Sequence, residues 1–210
     1  MSAKPSFPLE WDLIRGEPVT ALQAAIKSWL MRAKPNCLIH PHGFYVVMLG
    51  RDDSAEWRLH FWPPGRRPVT GMPAYIHTHN CHVDSRIIKG EITNILYDVA
   101  ERPADGQPLY EVDYIGDRYA AATRNVLRKT VNRVQATARA QCTYACGDVY
   151  HVERDTYHQA MVSEQIRTAT LVCMRERSLG PVRVVGLDGY PEIISFTRNE
   201  YQSLDFCEWL

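Results

Sequence analysis

The amino-acid sequence predicts an all-β fold, a single barrel or sandwich with an N-terminal helix and small helical additions. Three observations carry this. From Gly43 onward the chain reads as short apolar or alternating runs, the pattern of half-buried strands. Gly, Pro and Asp punctuate these runs at short intervals, as turns do. No repeat or low-complexity linker divides the 210 residues, of which 45% are hydrophobic, so one sizeable core is expected. Residues 1–38 read as an N-terminal helical extension and residues 39–210 as the β domain, together one structural unit.

Glu17 to Lys34 is predicted as a helix. Pro18 fits its first turn, Val19, Leu22, Ile26, Trp29 and Leu30 share one face, and Pro35 ends it. Phe44 to Leu49 is an apolar strand followed by the polar turn Gly50 to Ser54. Trp57 to Trp62 alternates: Arg58, His60 and Trp62 fall on one face, and Trp57, Leu59 and Phe61 on the other. Pro63-Pro64-Gly65 breaks that strand. Tyr75 to His79, Ser85 to Lys89, Glu91 to Val99 and Leu109 to Ile115 follow as strands. Tyr119 to Arg139 fits either a helix or strands with a long connection. Cys142 to Tyr150, Gln159 to Val162, Thr168 to Arg175 and Val182 to Val185 are further strands. Thr197-Arg198-Asn199-Glu200 matches a capping box and is expected to open a short C-terminal helix.

Lys plus Arg and Asp plus Glu both number 24, so the formal net charge is zero. Nucleic acid or an anionic membrane as the main partner usually needs a basic face, and neither is expected. Met1 to Glu10 has no apolar core of signal-peptide length, and no stretch is long enough to span a bilayer, so a cytoplasmic protein is expected. The six cysteines do not form a disulfide pattern and read mostly as buried thiols. The helix and strand edges leave room for a homodimer.

The chemistry is concentrated in histidines. Gly71-x5-His77-x-His79 places two imidazoles at i and i+2, which on a strand point to the same face. Gly90 follows eleven residues past His79, and Gly147-x10-His158 supplies a third imidazole downstream. Two histidines on one strand and a third on its neighbour can hold one metal ion, so His77, His79 and His158 are the candidate ligands. His82 fits a fourth ligand, a base beside the site or a surface histidine. Asp84 joins the ligands only if the strand register shifts by one residue. His40-x-His42 repeats the pattern but is split by Pro41, which weakens the strand argument. Cys142-x3-Cys146 has no evident second half-site beyond a contribution from Cys81 and His82, and core packing is the expectation. Arg58 and His60 line the pocket together or not at all. Tyr157 reaches either the pocket or, if the strand alternates regularly, the face opposite His158.

These motifs resemble those of the cupin superfamily. Gly71-x5-His77-x-His79-x3-Val83-x6-Gly90 is similar to the first cupin motif, and Gly147-x5-Glu153-x-Asp155-x2-His158-x3-Val162 has the spacing of the second. The resemblance spans roughly residues 40–185 and implies a double-stranded β-helix (jelly-roll) barrel. Val83 stands where the common pattern has a metal-binding glutamate, leaving a three-histidine set like that of the thiol dioxygenases, the cysteine dioxygenase-like branch. Trp57 to Gly65 and Ser85 to Ile92 also resemble that branch. Thr168 to Met174 lacks the histidine and tyrosine of its Ser-x-His-x-Tyr triad. Arg51 and Arg58 both fit its carboxylate-binding arginine.

The resemblance implies a mononuclear non-heme iron(II) dioxygenase using O2 on a small organic substrate, a thiol among the candidates. His82, Tyr75, Arg58 and Tyr157 are the candidate catalytic residues beside the metal. A cupin isomerase or lyase using zinc, nickel or manganese as a Lewis acid is the alternative, with His82, Tyr75 or Glu153 as base. A cupin that binds a small molecule without turnover is the third reading.

Overall fold

The computed structural model describes residues 11–114, 123–202 and 205–210. The readings of Met1 to Glu10, of Ile115 and of residues 119–122 lie outside the described residues. The predicted helix forms as α2 (Val19–Ala33), preceded by a short α1 (Trp11–Gly16). Pro18 sits one position earlier than expected, as the N-cap, where its missing N–H leaves no helical bond unmade. Lys34 ends the helix in the left-handed conformation, donating its N–H to the Leu30 carbonyl at 2.9 Å. The buried face of α2, Leu22, Ile26, Trp29 and Leu30, packs with Trp57, Leu59, Phe61 and Leu171.

The strands are β1 (Asn36–Ile39), β2 (Tyr45–Arg51), β3 (Ala55–Trp62), β4 (His82–Lys89), β5 (Glu91–Glu101), β6 (Gln107–Tyr114) and β7 (Arg124–Ala145). They continue as β8 (Val149–Val152), β9 (Tyr157–Met161), β10 (Thr168–Arg175), β11 (Val182–Val185), β12 (Ile193–Thr197) and β13 (Glu200–Gln202). A 3-10 helix (Asp205–Trp209) closes the chain. One sheet has the order β13-β1-β2-β3-β10-β4-β8, the other β11-β6-β7-β5-β9 with β12 also on β7. All pairings between these strands are antiparallel.

The alternation read in Trp57 to Trp62 decides how the first sheet is used. Trp57, Leu59 and Phe61 meet α2 on the outer face. Arg58, His60 and Trp62 face a cavity between the two sheets. From the second sheet Val112, Leu127, His158 and Ala160 line the opposite wall.

Several expectations are corrected. The sheets face one another but their ladders do not join into a closed barrel among the described residues, because β4 and β5 belong to different sheets. Tyr75 to His79 is not a regular strand: only His77 bridges, to His158 and Val184. Residues 124–139 belong to one long strand, β7, which runs on through Cys142 to Ala145 instead of starting a separate strand there. Thr197 to Glu200 opens no helix, since Thr197 pairs with Arg124 and Glu200 with Leu38. The capping-box pattern is local, and these long-range ladders override it. Cys37, Cys81 and Cys173 are buried, whereas Cys142 and Cys146 are exposed rather than packed in the core.

Among the described residues no helix is long and apolar enough to cross a membrane. The passage from β4 to β5 turns on Gly90, at φ +70. A Cβ there would lie 2.4 Å from Thr168 Oγ1 and 2.6 Å from the Arg167 carbonyl. Left-handed backbone and close approach together call for glycine. Gly90→Ala is expected to lower the unfolding free energy by about 2–4 kcal/mol, read as a drop in the urea midpoint. An unchanged midpoint would show that the crossover relaxes without cost.

Candidate metal centre

The site begins with a pair of backbone hydrogen bonds. His77 N–H donates to the His158 carbonyl at 3.0 Å, and His158 N–H returns to the His77 carbonyl at 2.9 Å. Residues paired this way in antiparallel β geometry project their side chains to the same face. His79, two residues on, shares that face. The ring centroids of His77 lie 4.7 Å from His79 and 4.8 Å from His158, and His79 lies 5.1 Å from His158. One ligand nitrogen from each falls within 4.8 Å of the others. Among the described residues this is the one group of His, Cys, Asp and Glu with such convergence.

Other bonds fix the segment that carries His77 and His79. Thr78 N–H donates to the Arg183 carbonyl at 2.9 Å, and Thr78 Oγ1 accepts the Arg183 N–H at 3.0 Å. Asn80 Nδ2 donates to the carbonyls of Ser178 and Gly180 at 2.9 and 3.1 Å. The His79 carbonyl accepts the Asp155 N–H at 2.8 Å, tying the turn before His158 to the first motif.

The donor set fits a metal ion. His77 Nδ1 lies 2.8 Å from the Tyr75 carbonyl, and His158 Nδ1 lies 2.9 Å from Asn94 Oδ1. Both partners accept, so both Nδ1 atoms carry the proton and both Nε2 atoms present a lone pair. His158 is 4% exposed, and its Nε2 is buried with no hydrogen-bond partner. Burial lowers the pKa of all three imidazoles, reinforced at His79 and His158 by the neighbouring ring of His77. Neutral imidazole is the ligand form.

Six of the chain's eight histidines line the same cavity of about 210 Å³. Beyond the three candidate ligands these are His40, His42 and His60. His40 and His42 lie on the turn between β1 and β2, closed by the Gly43 N–H on the His40 carbonyl at 2.7 Å. His42 Nε2 donates to the Ala74 carbonyl at 3.0 Å, and its ring centroid is 5.8 Å from that of His77. Burial pushes the pKa of His42 down to about 3. The His-x-His spacing was a signal for this pair, but a strand argument could not use it, because a turn delivers them.

The other candidates separate. Tyr75 lines the cavity rim, with its ring centroid 5.0 Å from that of His42. Arg58 lines the cavity, 5% exposed and ion-paired to Glu56. His82 is not among the lining residues: it stacks on His151 at 5.5 Å and lies 3.7 Å from Glu176. Tyr157 takes the face opposite His158 and packs with Leu109, Val134 and Val185. Glu153 is exposed and outside the lining. Val83 lines the cavity, and Asp84 points away, accepting from His151 Nδ1 at 2.8 Å and Arg175 Nε at 2.7 Å. The register has not slipped, so Asp84 stays outside the histidine cluster.

No family model matches this chain, and no curated protein matches it. Several solved structures resemble this chain in part, at TM-scores below 0.5. The DMSP lyase DddQ from Ruegeria pomeroyi is 14% identical, with 85% of this chain and 78% of that one covered at a TM-score of 0.43. An RmlC-like cupin with a double-stranded β-helix fold from Methanocaldococcus jannaschii is 14% identical, covering 65% and 83% at a TM-score of 0.35. Hydroquinone 1,2-dioxygenase PnpCD, solved with Cd2+ and 4-hydroxybenzonitrile, is 9% identical, covering 67% and 68% at a TM-score of 0.37. Likeness at this level assigns no reaction, which has to be argued from the chain's own residues.

His77→Ala and His79→Ala are expected to abolish metal binding, by elemental analysis after dialysis, while circular dichroism shows the fold retained. Asn94→Leu removes the acceptor that orients His158 and is expected to weaken metal affinity by roughly 10–100-fold. Full metal occupancy in both alanine variants would overturn the ligand assignment.

Proposed function

We propose that this chain is a metal-dependent oxidoreductase acting with O2 on a small organic molecule, with His77, His79 and His158 holding one iron(II) ion. The observation that carries the reading is the convergence of three neutral imidazoles, two with their outer nitrogens bound to acceptors, in a cavity between the sheets. When bound, iron(II) would supply adjacent open positions for an anionic donor and O2, a chemistry side chains lack.

The protein's residues account for the rest. Three uncharged ligands leave the charge of a dication uncompensated, which favours an anionic donor such as a thiolate or enolate. Phe44, Trp62, Val172 and Met174 supply apolar wall that excludes water and strengthens electrostatic contacts inside. The same wall holds the substrate near the histidines, where proximity lowers the barrier. Tyr75, which lines the cavity, would give or take a proton.

That placement also favours a second reading, an isomerase or lyase. Zinc, nickel or manganese on the same histidines would polarise a carbonyl, and Tyr75 would serve as the base. Oxygen dependence separates the two. Iron-loaded protein is expected to consume O2 with a thiol or enolisable acid from a small panel, followed with an oxygen electrode. His158→Ala should abolish the uptake. Turnover that proceeds undiminished without O2 would overturn the first reading in favour of the second.

A further inference from the structure

The strands that end the two sheets are short. β13 and β8 close the first sheet and β11 and β9 the second, and they run three to five residues. A short edge presents few unpaired N–H and C=O groups to other chains. β7 departs from this pattern. Its ladder with β6 stops at Val134, where its ladder with β5 begins and runs on to Ala145. Along residues 135–145, among the described residues, β5 takes one side of β7 and no strand takes the other. The second sheet therefore carries a free edge of eleven residues, more than twice the length of any of its end strands.

The same stretch is bare on both faces. Thr137 to Thr143 are all exposed. Directly opposed antiparallel residues share a face, and Cys142 pairs with Asn94 and Ala140 with Leu96. Asn94 is 5% exposed and holds the His158 ring. Cys142 and Ala140 thus lie on the face turned toward the first sheet, yet they are exposed, because that sheet does not extend over them.

The usual guards of a free edge are few here. Residues 135–145 contain no Pro, Lys, Asp or Glu. Their one charge, Arg139, lies 3.6 Å from Asp98 on β5. The ladder with β5 shifts once, between Leu96 and Tyr97, and is regular from Ala140 to Ala145. That regular run, Ala-Gln-Cys-Thr-Tyr-Ala, is uncharged.

We propose that the free edge of β7 pairs antiparallel with the same edge of a second copy of this chain, joining two second sheets into one. Charge favours a second copy over a foreign strand. An uncharged edge gives an oppositely charged partner nothing to read, whereas two such edges meet without repulsion. The chain as a whole adds none, since its formal net charge is zero. The alternating N–H and C=O groups of an edge are complementary to themselves when one copy is reversed, which a two-fold axis normal to the sheet achieves. The same axis keeps both inner faces on one side, so Ala140 and Cys142 of the two copies cover one another across the seam. None of residues 135–145 lines the cavity, so this interface is independent of the metal-dependent reading.

Sedimentation velocity of the full chain over a concentration series, with hydrogen exchange followed by mass spectrometry on the same samples, tests the interface. A dimer is expected, with the amides of residues 135–145 exchanging at least tenfold more slowly than in the monomer. Ala140→Arg should weaken association by at least tenfold and restore fast exchange there. Gln141→Lys, on the other face of the strand, places like charges near the seam and serves if Ala140→Arg fails to fold. A monomer at every concentration, which would leave the edge to another protein, overturns the proposal. So does a dimer in which residues 135–145 exchange as fast as in the monomer, or a folded Ala140→Arg that associates undiminished.

Discussion

The reciprocal hydrogen bonds between the backbones of His77 and His158 are the constraint on which the site depends. They join two motifs far apart in sequence, and they fix which face each imidazole takes. Once His77 and His158 are a directly opposed antiparallel pair, the two-residue period places His79 with them. The regular sheets supply the frame: β9 reaches His158 through its ladder with β5, where Leu96 pairs with His158. The same ladder brings Asn94, two residues earlier on β5, to the His158 ring. His158 and the group that orients it are therefore set by one strand pairing.

Charge is partitioned by the same alternation. On β4 Val83 faces the cavity, and Asp84 turns outward to His151 and Arg175. Among the described residues no carboxylate lines the cavity, while guanidiniums and imidazoles do. Burial holds the imidazoles neutral, because a charged ring in that setting would lose its hydration and meet neighbouring cations.

What could be read in the sequence was what depends on local period. The alternation of Trp57 to Trp62 separates α2-facing from cavity-facing residues as expected. The spacing of His77, His79 and His158 picks out the three that converge. What could not be read depends on where the chain crosses between elements. His40 and His42 arrive on a turn, and Arg198 on a passage between sheets, and neither obeys a strand or helix period. The exposed Cys142 and Cys146 lie near the end of β7, where apolar composition says little about which sheet face is covered. Of the readings open for His82, a place outside the cavity is the one observed: it begins β4 and stacks on His151.

The short run His77-Thr78-His79-Asn80 shows how a site can be precise without a regular strand. Its odd-numbered residues face the cavity as candidate ligands. Its even-numbered residues, Thr78 and Asn80, are polar and only 2% and 3% exposed, and Asn80 also reaches the cavity lining. A buried polar side chain is costly unless it finds partners. Thr78 finds the backbone of Arg183, and Asn80 finds the carbonyls of Ser178 and Gly180 and the Arg177 guanidinium at 2.8 Å. These bonds replace the ladder that the segment lacks, and they anchor it to the chain that leads into β11. His77 and His79 present nitrogens to the cavity, and Thr78 and Asn80 lock the backbone that aims them.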